Sequence, residues 1–369
     1  MTIKIEWRLK LSIKIKFTPT AIGSLPHDNP EKAVELVFKY FPDIPVVGQL
    51  ANVSPKEDML SQYNENIPGI VFDEADNRWY MEQDSETFFE ELEEFFLDYE
   101  SIVNEKNFDV LEKYAISENH CSTLPFFLKK LKETKPAFVK GQITGPFTFG
   151  TSLVDREKKC IFYDETLKEI AFKGLTLKAL WLMKKFKESS PDSKPIIFMD
   201  EPTMSQYGAS AFITVKKEDV INGIKEISSV LQENGALVGI HCCGKSDWSL
   251  ITESGVDILN FDGFYFGESL SLFSKEIENF LKKGGKIAWG IIPTLDVDAL
   301  ESANMEILAN KFEEAKTYLI NKGVDEKLIN ENAIITPSCG AGSLTEVQAE
   351  KAMRLTSDLA GFLKDKYQV

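Results

Sequence analysis

The stretch "LVGIHCCGKSDW", residues 237–248, runs from apolar residues straight into one of only three histidines and two of only five cysteines in the chain. Residues 237–241 have the length and apolar character of a strand covered on both faces, and the glycine and polar residues that follow mark a loop. Reactive side chains gathered at the end of such a strand are what a parallel α/β sheet produces, because its functional loops leave from the strands' carboxyl ends. The fold therefore depends on whether the pattern repeats.

It does. Short apolar runs at 20–25, 44–50, 138–143, 196–199, 258–261, 287–291 and 333–336 join 237–241 to make eight candidate strands. Helical spacing fills the intervals, at 164–186 (Leu167, Ile170, Leu175, Leu182), 220–234 (Val220, Ile224, Ile227, Leu231) and 346–367. Strands separated by helices of this size pair in parallel through crossovers. The expected fold class is α/β, a (β/α)8 TIM barrel with a large insertion between strands 2 and 3 and an N-terminal β extension.

Residues 18–369 are read as a single barrel domain with the insertion at about 51–137, and residues 1–17 as the β extension. Between Ile3 and Phe17 apolar and polar residues alternate strictly, the period of a strand with one dry face. The insertion opens at Ser54-Pro55-Lys56-Glu57, which reads as a capping-box helix start. A hairpin turning near Asp76-Asn77 follows, and then the acidic stretch "SETFFEELEEFFLDYE", whose Phe88, Phe89, Leu92, Phe95, Phe96 and Tyr99 form a stripe at helical spacing. This segment is expected to cap the barrel mouth.

Fifty-eight acidic against 42 basic side chains give a net charge of −16, which repels phosphate backbones and anionic lipid heads. Nucleic acid and membrane are thus not expected as partners. No apolar run approaches the roughly 18 residues of a spanning helix, and the N-terminus lacks the pattern of a secretory signal, so a cytoplasmic location is expected. Five cysteines, an odd number without framework spacing, are expected as thiols rather than disulfides.

The predicted strand ends collect the reactive residue types: Gly23-Ser24, Thr144-Gly145-Pro146, Asp200-Glu201-Pro202, His241-Cys242-Cys243, Asp262 and Ser338-Cys339-Gly340. Residues two apart on extended chain point the same way, so His241 and Cys243 can converge while Cys242 turns aside. Cys339 opens onto the same mouth. One imidazole and two thiolates suit zinc with a fourth position left for substrate. A lone buried cysteine is ordinarily packing, which is the reading for Cys121 and Cys160.

In order, "TAIGSLP", "VKGQITGPFTFG", "IFMDEPTMSQYG", "GIHCCGKSDW", "DILNFDGF" and "ITPSCGAGSL" resemble the catalytic barrel of cobalamin-independent methionine synthase and its zinc methyltransferase relatives. These include the methylcobalamin:coenzyme M methyltransferases, in a superfamily that also holds uroporphyrinogen decarboxylase. The resemblance spans nearly all of residues 18–365. It implies that His241, Cys243 and Cys339 are zinc ligands. Asp262 stands where the synthase has a ligand glutamate, and its shorter side chain leaves it either on the metal or just behind it. The resemblance also implies catalytic roles for Asp200 and Asp262. Asp200 would contact a substrate amine with Glu201 beside it, and Gly23 and Ser24 would hold a carboxylate.

Two departures bear on substrate. The synthase carries a glutamate ahead of an Asp-Met pair, whereas Ala51-Asn52-Val53 precede Asp58-Met59 here, which leaves homocysteine only one acceptor among several. The synthase also has a second barrel that helps hold a polyglutamylated folate, for which 369 residues leave no room. The expected function is a zinc-dependent methyl transfer between a corrinoid, either methylcobalamin or a corrinoid protein, and a small thiol. Two rivals remain at this stage. A uroporphyrinogen decarboxylase-like enzyme would need cationic groups, yet none of the four arginines, Arg8, Arg78, Arg156 and Arg354, lies at a predicted strand end. A non-catalytic zinc module that docks a corrinoid protein would use the acidic, aromatic insertion.

Overall fold

The structure is a computed structural model and describes residues 15–73 and 78–368. Its strands are β1 (Thr18–Pro19), β2 (Ile70–Asp73), β3 (Arg78–Met81), β4 (Phe138–Thr144), β5 (Val154–Asp155), β6 (Lys194–Asp200), β7 (Leu237–Cys242), β8 (Ile258–Asp262), β9 (Lys286–Ile292) and β10 (Ala333–Pro337). Seven of them form one curled parallel sheet in the order β1-β10-β9-β8-β7-β6-β4. β4, β8, β9 and β10 are buried at every position, as strands covered on both faces must be.

Six of the eight predicted runs became strands of this sheet. The other two differ instructively. The first strand pairs only at Thr18–Pro19 and continues as extended chain, with the Thr20 amide donating to the Ile335 carbonyl at 3.0 Å. Residues 44–50 form no regular strand. They run through the opening between β1 and β4, held by single bonds such as Val47 N–H to Lys140 O (3.0 Å) and Gln49 N–H to Gly23 O (3.0 Å). Pro45 supplies no amide to a ladder, which is a local reason for the break. Among the described residues the regular sheet is thus an arc of seven strands, its ends joined through residues 44–50 only by the isolated bridges Ser24↔Gln49 and Val46↔Lys140, where a closed ring of eight was expected.

Helices cover the outside of the arc. The predicted 164–186, 220–234 and 346–367 appear as Glu165–Ser189, Lys217–Glu233 and Glu346–Lys366. Asp164 caps the first by accepting from the Thr166 and Leu167 amides. The last is started by a capping box of Thr345 and Gln348. At the sheet's lower end Ile15, Ile44, Phe138, Ile196, Ile258 and Ile334 pack into a small cluster. The predicted β extension lies outside the described residues up to residue 14, while Ile15 and Phe17 are fully buried against the barrel.

The insertion does sit on the strand ends. Tyr63 donates its hydroxyl to the Gln142 carbonyl of β4 (2.7 Å), and the Thr144 hydroxyl donates to the Met59 carbonyl. β2 and β3 pair antiparallel from Ile70↔Met81 to Asp73↔Arg78, and the hairpin's turn at 74–77 lies outside the described residues. Ser54 caps only a short 3-10 turn, Pro55–Glu57. Glu57 is buried instead, accepting from the Leu50 and Ser122 amides. In the helix Phe88–Glu105, Phe88, Phe95 and Tyr99 face inward, but Phe89 is 76 % exposed.

Trp289 of β9 is fully buried, with its ring edge-on to Phe261 (5.5 Å) and Phe312 (5.4 Å), so it ties two strands to an outer helix. Replacing it with alanine, Trp289→Ala, is expected to cost about 3–5 kcal/mol of unfolding free energy. Urea titration followed by circular dichroism would read this; a midpoint unchanged from the parent would contradict the packing described.

Candidate metal centre

Parallel register sets the candidate residues side by side. Thr144 of β4 pairs with Asp200 of β6, and Asp200 with His241 of β7. His241 is in turn paired with Asn260 of β8, and Asp262 with Gly290 of β9. Every strand that matters ends at the same level, and the chain leaves each of them into a loop above the sheet. The loop after β7 packs tightly on the loop after β6, since a Cβ at Gly244 would lie 2.6 Å from Ser205.

Cys339 is brought in from β10. Its amide donates to the Thr294 hydroxyl (3.1 Å), which donates back to the Cys339 carbonyl (2.9 Å), pinning the residue to the loop after β9. As a result, donor atoms of His241, Cys243 and Cys339 all lie within 4.8 Å of one another. Cys242 turns away and is fully buried. His241 Nδ1 is 2.5 Å from Asn260 Oδ1, and its Nε2 is buried with no well-formed hydrogen bond among the described residues.

The electrostatics follow from this crowding. The Cys243 thiol is held well below its ordinary range, first by the hydrogen bond from Cys339 and then by the His241 imidazole beside it. Cys339, as the proton-bearing partner of that pair, is pushed up. Burial works against charge on His241, but the Cys243 sulfur and the nearby Asp200 outweigh it and raise its pKa. Burial also raises Asp200, whose Oδ1 has no hydrogen-bond partner among the described residues.

Asp262 behaves differently from the three donors. Its Oδ1 accepts from the Tyr265 amide (2.9 Å), capping the helix Gly263–Phe266, and burial pushes its pKa up to about 6. It is not in the three-donor group. Ser24 and Gly23 are at the site: the Ala341 amide donates to the Ser24 carbonyl (2.8 Å), and a Cβ at Gly342 would lie 2.2 Å from Ser24 Oγ. Gly23 has φ +151°, and a Cβ there would lie 1.9 Å from Gln142 Nε2, so no larger residue fits.

Glu201 was expected beside the substrate, yet its carboxylate is committed elsewhere. It accepts from the Phe147 amide (2.9 Å), the Thr148 amide (2.8 Å) and the Thr148 hydroxyl (2.7 Å), at the start of the helix Pro146–Ser152. It is fully buried, which pushes its pKa up to about 7. Two neighbours escaped the sequence reading. Asn260 was visible only as a polar residue inside the apolar run "ILNFD". Lys140 of β4 is fully buried with Nζ 2.6 Å from the Ile22 carbonyl and 4.3 Å from the Phe198 ring centre, and burial lowers its pKa to about 7.

A cavity of about 580 Å³ opens beside the insertion, with Asp58, Leu60, Arg78, Trp79 and Phe149 in its wall. Arg78 is the only arginine there, and the three donors do not line it. No helix among the described residues is long and apolar enough to cross a membrane.

No family model and no curated protein matches the chain by sequence. Among solved structures it is similar to a B12-independent methionine synthase from Shewanella sp. W3-18-1, in complex with selenomethionine. The match has a TM-score of 0.58 at 14 % identity and covers 95 % of this chain and 99 % of that one. At that identity the likeness is one of fold.

Two outcomes follow from the site's supports. The variant Glu201→Ala strands three buried donors and should lower stability by about 2–4 kcal/mol without loss of bound metal. A changed KM at an unchanged unfolding midpoint would instead return Glu201 to the substrate. For Lys140, the unfolded chain holds an extra proton between the folded value near 7 and the unfolded value near 10.5. Stability should therefore rise with pH across that window, by up to about 1.4 kcal/mol per unit. Urea unfolding from pH 7 to 9.5 should show this increment in the parent and not in Lys140→Met.

Proposed function

We propose that this chain is a zinc-dependent methyltransferase that alkylates the sulfur of a small thiol. The observation that carries the reading is the meeting of His241, Cys243 and Cys339 from two distant strands, with donor atoms within 4.8 Å of one another. The donor set is soft, the neighbouring Cys339 and His241 hold the Cys243 thiol below its ordinary range, and Nε2 of His241 is buried with no well-formed hydrogen bond among the described residues. These are the residue types and the spacing that zinc takes. Bound there, zinc would strip the proton from a substrate thiol and hold the sulfur as a nucleophile at neutral pH.

The chain's own groups would do the rest. Asp200, buried with one free carboxylate oxygen, is suited to an ammonium group, whose positive charge would offset the cost of ionising it there. Ser24 lies against the Cys339 loop, with Gly23 beside it against Gln142, where a substrate carboxylate would be oriented. Asp262 stays behind the donors as a helix cap whose charge is felt at Cys243. The solved neighbour is described as B12-independent, so it lends no support to a corrinoid donor. That donor rests on the argument that 369 residues leave no room for a second, folate-holding barrel.

The test is metal analysis of the purified protein together with thiol methylation assays using homocysteine, coenzyme M and other small thiols. Each thiol is offered methylcobalamin and, separately, a methylated folate. One zinc per chain and methylation of a thiol are expected, and Cys339→Ser should lower both metal affinity and rate by on the order of 100-fold. Zinc content and rate equal to the parent's in that variant would overturn the reading.

A further inference from the structure

Asn260 sits in the middle of β8, fully buried, and the chemistry above makes no use of it. Its amide nitrogen donates to the Ala288 carbonyl on β9 (2.8 Å) and to the Thr336 hydroxyl on β10 (2.9 Å). A main-chain carbonyl only accepts, so the nitrogen end of the carboxamide must face β9 and β10, and the oxygen end must face β7. There Oδ1 meets His241 Nδ1 at 2.5 Å. An amide oxygen has no proton to give, so the proton in that bond belongs to Nδ1. The ring nitrogen left over for a ligand bond is Nε2, which makes no well-formed hydrogen bond among the described residues.

We infer that Asn260 is the positioning residue that fixes the metal-binding form of His241, and that it does so by bracing the imidazole on β7 against β9 and β10. This rests on the metal reading of the site. Thr336 lies three residues before Cys339 on the same strand end, so one carboxamide links the placement of the histidine to that of the distal cysteine. The choice of an amide has a chemical consequence. A histidine ligand usually gives its second N–H to a carboxylate, a carbonyl or water. A neutral carboxamide holds the ring just as firmly but adds no charge, so two thiolates balance a divalent ion and the imidazole stays a neutral donor.

The test uses the full chain with Asn260→Leu and Asn260→Asp. In metal-free protein, with only three histidines to assign, the parent should show a downfield, exchange-protected Nδ1–H proton resonance from His241. The leucine variant should lose it. The aspartate variant, which keeps an acceptor for Nδ1–H, should retain it. By chelator competition, Asn260→Leu should bind zinc about 10–100-fold more weakly and shift the visible bands of the cobalt-substituted protein, while Asn260→Asp recovers most of the affinity. The inference is overturned if His241 in the parent carries its proton on Nε2 with Nδ1 bare, a result that needs no variant to fold. It is equally overturned if Asn260→Leu binds zinc as tightly as the parent. A parent that binds no zinc would remove the metal reading itself and this inference with it.

Discussion

The backbone ladder of the parallel sheet is the constraint on which the rest depends. Because Thr144, Asp200, His241 and Asn260 occupy consecutive rungs, their side chains reach the same level without any loop having to be shaped for it. Shifting one strand by a single residue would invert every side chain along it and send His241 into the surrounding helices. The loops add only the final approach, Cys243 from β7 and Cys339 from β10, and the latter is pinned through Thr294. The level of the site is thus set by hydrogen bonds between main chains, and side chains such as Thr294 and Asn260 fix the final positions of Cys339 and His241.

The interior beneath that level is unusually polar for a barrel core. Lys140, Gln142, Asp200 and Asn260 all point into or border it, each with named partners or a neighbouring charge. Burial costs such groups the ionised form, and the shifts of Lys140 downward and Asp200 upward are the mark of it. The arrangement becomes economical when a ligand completes it. Asp200 gains a cation to pair with, and the two thiols gain an ion to share.

Much of this could be read from the residues in order. The apolar runs and their reactive ends gave away six strands and the grouping of His241, Cys243 and Cys339, because strands buried on both faces are mostly apolar until they end. Residues 44–50 misled because an apolar run looks the same whether or not its amides join a ladder, and Pro45 was the one warning. Glu201 shows that a carboxylate at a strand end can cap a neighbouring helix, a partner that the sequence around it does not reveal. Asn260 was overlooked since its value lies in partners on strands far along the chain, which spacing within "ILNFD" does not reveal. The expected first seventeen residues were only partly open to comparison, as Ile15 to Phe17 pack against the barrel and the described residues begin there.

The opening between β1 and β4 divides the molecule mechanically. His241, Cys243 and Cys339 all hang from the continuous side, where neighbouring strands share ladders interrupted only by a register shift at Thr336–Pro337 among the described residues. Gly23, Ser24 and the root of the insertion belong to the seam, joined by scattered bonds that a small shift disturbs little. The Ala341 amide bond to the Ser24 carbonyl joins this seam to the loop that carries Cys339, so the two sides of the opening meet at the candidate site itself.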